Sequence, residues 1–290
     1  MIRPTVIVPL LSRQLFSAGY LLSPIILHSS MKPIFTCVLM ILFLSACTKT
    51  LDVNLRSTEP KIVIQGVVSN SVTPYYIRIN KTVDFDANNE YPPVVNATVT
   101  VLDSTADRLY HYTYTGADGY YASNNLYGQV GHTYILTVKV DGEEYTARST
   151  MPPFVGIQQL DFVQTRILNQ VRILPQVTFS DPAYETNYYV FTLLVNNVPY
   201  KAFYALDDRL TDGNMIAQEL YMDSAYIRKR DYVTVVLASV DRNVYNYFNV
   251  LQANSGASAT TPSNPPSNIS NGAYGYFGAE AIDIVSQTYQ

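Results

Sequence analysis

Two stretches of the chain place oxygen-bearing side chains at a spacing that suits a calcium ion. Asp84, Asp86, Asn88 and Glu90 occupy alternate positions and would present their oxygens in turn to a hard cation. The loop departs from the EF-hand pattern, with Asn89 where that loop has Gly and Val95 where it has the closing Glu, so a solvated acidic hairpin loop is the competing reading. Asp207, Asp208 and Asp212, followed by Gly213, make a second acidic turn, which Arg209 can neutralise internally. A third pattern is aromatic. Tyr110, Tyr112 and Tyr114 alternate along one predicted strand and share a face, with Leu109, His111 and Thr113 opposite. Such a ladder either packs half-buried across strands or stands exposed as a platform for sugar rings or peptides.

Other chemistry is excluded by what is missing. After residue 47 the chain has no cysteine and no tryptophan, and its only histidines are His111 and His132, on different predicted strands with no carboxylate partner close in sequence. Thiol nucleophiles, disulfide scaffolds and Cys-based zinc sites drop out. Neither Gly-x-Ser-x-Gly nor His-Glu-x-x-His occurs, and the chain reads as a non-enzyme. Arg3, Arg13 and Lys32 are the only Lys, Arg, Asp or Glu among the first 46 residues, leaving 16 of 19 basic and all 23 acidic residues afterwards, a formal charge of −7. A nucleic-acid partner would need the opposite sign.

Cys47 carries the most specific signal. From Met31 the sequence gives Lys32, an apolar run from Ile34 to Leu44, then Leu44-Ser45-Ala46-Cys47. A basic start, a short apolar centre and small residues before a cut site make a secretory signal peptide, too short to span a bilayer as a stop-transfer helix. Leu-Ser-Ala-Cys resembles the lipobox of bacterial lipoproteins. That resemblance implies cleavage before Cys47 and a palmitate-type lipid on its sulfur, anchoring the chain to the outer membrane on a face the sequence leaves open. Residues 1–30 hold a second apolar stretch broken by Pro4, Pro9 and Pro24 and read as an upstream extension, with translation expected from Met31. Residues 31–46 are then the signal peptide and 47–60 a lipidated tether.

The elements that must position these groups are strands. Short runs of β-branched and aromatic residues recur between turn signals, which predicts an all-β protein of two sandwich domains, immunoglobulin- or transthyretin-like, at 61–153 and 154–290. Met151-Pro152-Pro153 marks the junction, since neither proline can donate to a sheet ladder. Asp141-Gly142 and Asn196-Asn197 predict two-residue hairpins. Tyr134 resembles a tyrosine corner, and Tyr134, Leu136, Val138 and Val140 predict a core-facing row. Val244, Tyr247, Phe248 and Leu251, behind the N-cap Asp241, predict one short helix in the second domain, at 241–253, covering an open end of the sandwich; 254–271 reads as loop and Tyr274 to Ser286 as a last strand.

Val95 to Val101, Asp118-Gly119-Tyr120-Tyr121 and Gly131 to Leu136 together resemble the carboxypeptidase-regulatory or transthyretin-like sandwiches. The phrase from Asn264 to Ala279, with Gly272, Gly275 and Gly278 among Tyr274, Tyr276 and Phe277, joins the lipobox, Ile64-Gln65-Gly66 and Phe179-Ser180-Asp181-Pro182 in resembling an uncharacterised Bacteroidota lipoprotein family, a domain of unknown function often encoded beside TonB-dependent receptors. The resemblance implies a lipid-anchored accessory binding module with such a receptor as partner; the alternative is a surface glycan- or peptide-binding module acting alone. No cofactor is expected beyond the lipid and the possible calcium. Physically, the glycines suit a loop pressed closely on a sheet.

Overall fold

A computed structural model describes residues 59–71, 74–84, 90–167, 169–222, 227–255 and 263–290. The upstream extension, the signal peptide, Cys47 and the tether as far as residue 58 lie outside these, as do Asp86 and Asn88.

The described chain is mostly β, in a sandwich-like arrangement with one short helix. Its first seven strands are β1 (Ile62–Ser69), β2 (Tyr75–Lys81), β3 (Thr98–Asp103), β4 (Arg108–Tyr114), β5 (Tyr120–Ser123), β6 (Thr133–Val140) and β7 (Glu143–Thr150). Period-2 patterning decides their inner faces: in β6, Tyr134, Leu136 and Val138 are fully buried while Lys139 is exposed. Asp141 and Gly142 both take positive φ, as a tight type I′ hairpin demands, and so do Asn196 and Asn197. Tyr134 is a tyrosine corner, its buried hydroxyl accepting a 2.8 Å hydrogen bond from the Gln129 backbone N–H.

The second half contains β8 (Ile157–Ile167), β9 (Gln170–Ser180), β10 (Tyr188–Val195), β11 (Val198–Pro199), β12 (Tyr204–Asp207), β13 (Met215–Glu219), β14 (Tyr232–Ser239), α1 (Arg242–Ser255) and β15 (Tyr274–Thr288). Strands β13, β9 and β8 form a separate three-stranded sheet. It packs through Leu160, Val177 and Phe179 on Tyr189, Phe191, Val235 and Leu237 of β10 and β14. The other face of β10 and β14 is covered by α1, where Val190, Ala238, Val244, Tyr247 and Phe248 form a smaller core. These two strands are therefore buried on both faces, which explains their nearly continuous apolar sequences. Helix α1 covers a sheet face, not the open end expected from sequence. Its start is set by Asp241, whose Oδ1 accepts the N–H groups of Asn243 and Val244 at 2.8 and 3.0 Å.

The two expected domains differ from the structure at the last strand. The chain passes from one core to the other near Pro153, since Met151 belongs to the first core and Val155 to the second. Yet β15 runs through both. Its first half pairs in parallel with β1, from Val63 opposite Tyr274 to Ser69 opposite Glu280, and its second half pairs antiparallel with β14, from Ala281 opposite Ser239 to Thr288 opposite Tyr232. Ile269, Ala273, Phe277, Ala279 and Ala281 are buried in the first core. Boundaries at 61–153 and 154–290 thus do not separate the cores, because β1 is completed by a strand from the far end of the chain. Of the glycine-rich phrase, residues 264–273 are loop, with Gly272 in its turn, whereas Gly275 and Gly278 lie inside the strand expected from Tyr274 onwards. Gly275, at φ +98°, is needed where backbone meets backbone, since a Cβ there would stand 1.9 Å from the Ile64 carbonyl oxygen.

Candidate ligand-binding groove

The tyrosine ladder of β4 is not a ligand face. Val99 and Val101 of β3 lie opposite Tyr112 and Tyr110, and this side faces the first core, leaving both tyrosines buried and Tyr114 packed at the core edge against Tyr121. Leu109, His111 and Thr113 point to solvent instead. Of the calcium candidate, Asp84 and Glu90 are exposed. His132 has a partner that sequence proximity does not reveal. Its Nδ1 lies 2.8 Å from Oδ2 of the buried Asp103, whose Oδ1 accepts the N–H groups of Thr105 and Ala106, so the pair fixes the turn after β3.

Of the second acidic turn only Asp208 is buried, and it lies close to a second buried carboxylate, Asp181, from another segment. One oxygen each from Asp181, Asp208 and Asp212 come within 4.8 Å of one another. Their oxygens already hold the chain together. Asp181 accepts the Tyr189 hydroxyl and the Gly213 N–H, Asp208 accepts the Asn187 N–H at 2.7 Å, and Asp212 accepts the Tyr184 N–H at 3.0 Å. Burial and Asp181 together push the Tyr189 hydroxyl well above the ordinary tyrosine range. Arg209 does neutralise this turn internally, pairing with Asp207 at 2.8 Å and holding that carboxyl below its usual range. Tyr245 adds a 2.7 Å hydrogen bond to Asp207, and its own hydroxyl is pushed up to about 12, chiefly by burial.

An open groove with the geometry of a binding site lies on the outer face of the neighbouring strands β5, β2, β1 and β15. Strand register places four side chains in one row across four strands: Tyr120 opposite Arg78, Arg78 opposite Gln65, and Gln65 opposite Tyr276. They face outward because their neighbours Tyr121, Ile77, Ile64 and Phe277 take the inward positions. With Val67, Pro74, Tyr75 and Tyr76 they line an open groove of about 410 Å³. Tyr76 stands half-exposed at its rim, edge-on to Tyr120 at 6.0 Å, and the Arg78 guanidinium lies over the Tyr120 ring at 5.3 Å.

Helix α1 anchors one end of the row. The Tyr276 ring packs against Tyr247 and Phe248 at 4.8 and 5.0 Å. Burial raises the Tyr276 hydroxyl well above its ordinary value, with Glu280 and Tyr247 adding to it. These contacts fix the rings before any ligand arrives, and preorganised aromatic faces around a few polar groups are what small-ligand sites use. Each residue was visible in sequence, and Tyr120 and Tyr276 stand in motifs singled out there. Nothing in sequence aligned them, because the row exists only through the pairing of β5, β2, β1 and β15.

Residues 48–283 match the family model described as domain of unknown function DUF4249. No curated protein is significantly similar to the chain.

Proposed function

The chain belongs to the DUF4249 family, and from that premise we propose that it is a lipid-anchored envelope protein that binds, and does not transform, a small ligand. It holds the ligand in the groove on the outer face of β5, β2, β1 and β15, as the accessory of a TonB-dependent receptor in the outer membrane. The observation that carries the binding role is the row Tyr120, Arg78, Gln65 and Tyr276, fixed by register on one side and by α1 on the other. The anchor rests on the Leu-Ser-Ala-Cys47 motif, and the receptor on the resemblance drawn from sequence.

Two experiments test this reading. Gentle detergent extraction of membranes should recover the protein with a receptor, and Cys47→Ser should release it from the membrane fraction; recovery as a lone monomer would remove the receptor from the proposal. Tyr120→Ala and Tyr276→Ala should weaken capture of ligand from envelope extracts, and unchanged capture by both variants would move the binding site elsewhere.

A further inference from the structure

We propose that the groove recognises an acidic saccharide, with Arg78 holding a carboxylate of a sugar whose ring lies on the tyrosines. This rests on the groove being the ligand site. Among the residues lining it, Arg78 is the only one with a formal charge, in a chain whose charge after residue 47 is otherwise negative. Stacking on Tyr120 and a 3.3 Å bond from Nε to the Asp118 carbonyl hold the guanidinium in place. Among the described residues it forms no salt bridge. An oriented, unpaired guanidinium fits a planar carboxylate through two parallel hydrogen bonds.

The rest of the site favours a ring over an extended chain. Strands β5, β2 and β1 are hydrogen-bonded on both sides. The free side of β15 is closed by Asn268, which bonds Phe277 N and O, and by Ser149, which accepts the Ala279 N–H at 2.8 Å. No sheet edge is offered for strand addition, so a peptide would lose its main source of affinity here. A ligand must be read by side chains alone. With neighbouring strands about 4.8 Å apart, Tyr120 and Tyr276 stand three strands and roughly 14 Å from each other. Tyr276 is packed under α1 and closes that end, so an apolar sugar face can stack on Tyr120 and the exposed Tyr76 while Arg78 and Gln65 meet polar groups along the row.

The test uses the lipidated protein in detergent, titrated with α-1,4-linked trigalacturonate, with the neutral galactose trimer, and with a short Glu-rich peptide. Binding is read by calorimetry and by tyrosine fluorescence, which the absence of tryptophan leaves unobscured. At low salt trigalacturonate should bind about tenfold or more tighter than the neutral trimer. Arg78→Gln should abolish that difference, Arg78→Lys should restore part of it, and Tyr120→Ala should weaken both trimers. Equal affinity for both trimers, with both weakened by Tyr120→Ala, would overturn the acidic preference and leave the groove as the site. Tighter binding of the peptide, or no binding of either trimer, would overturn the saccharide. Trimer binding indifferent to Tyr120→Ala and Tyr276→Ala would remove the groove itself.

Discussion

Replacing Glu280 with Gln should make the protein more stable at pH 8 and change it little at pH 5. Glu280 lies on β15 opposite Ser69, under the first turn of α1. Its Oε1 and the Val244 Cγ2 both crowd the space above Gly278, 3.2 and 3.1 Å from where a Cβ on that glycine would stand. Burial pushes its carboxyl from the usual 4.5 to about 7, and the charge of Asp241 at the helix start adds to the effect. The folded chain therefore keeps a proton that the unfolded chain gives up between those pH values. Stability from this group is fully present below about 4.5, falls as pH rises towards 7, and is absent above it. At about 1.4 kcal/mol for each tenfold in proton affinity, and allowing for the partly exposed side chain, the loss is about 2 to 3 kcal/mol. Gln keeps the shape and cannot ionise. Urea unfolding of both proteins at pH 5 and pH 8 should show a gap of this size at pH 8 only. An equal gap at both pH values, or a Gln variant weaker at pH 8, would refute the reasoning.

Three further outcomes follow from particular contacts. Gly275→Ala combines a positive φ with a clash on the Ile64 carbonyl and should cost about 3 kcal/mol or more, seen as a lower unfolding midpoint and as loss of amide protection in β1. The Tyr112 hydroxyl is buried and has no partner among the described residues, and burial raises it far above its ordinary value, so Tyr112→Phe should be neutral or stabilising by up to about 1 kcal/mol in thermal melts. Asp241→Ala removes the cap of α1 and the acceptor of the 2.5 Å Ser149 hydrogen bond, and should cost about 1 to 2 kcal/mol by denaturant titration, whereas Asp241→Asn should recover part of it.

Local rules were enough for the parts of the fold that local chemistry decides. Asp141-Gly142 and Asn196-Asn197 announced their hairpins through tolerance of positive φ, and Asp241 announced α1 through its side-chain acceptor. Alternation also showed which residues of β4 share a face, but not whether that face turns inward. Tyr110 and Tyr112 were open to either reading until Val99 and Val101 appeared opposite them, whereas Tyr76, without a matching alternation of tyrosines, stands at the rim of the groove. The candidate site was illegible for a related reason. Tyr120, Arg78, Gln65 and Tyr276 come from four separated segments, and so do the pairs Asp103 with His132 and Asp181 with Tyr189 at shorter range. Only register brings such residues together, and register is a property of pairs of strands.

Strand β15 also sets the order of events in folding. Strand β1 has Tyr274 to Glu280 as one of its two neighbours, so it has an empty side until a segment far along the chain arrives. Closing so long a loop is slow compared with forming the local hairpins β6–β7 and β8–β9. Hairpins should thus form early and wait, and the two cores should lock in one late step when β15 arrives. A protein cut short before Tyr274 would be left with unpaired edges on both β1 and β14, exposed to pairing with other chains.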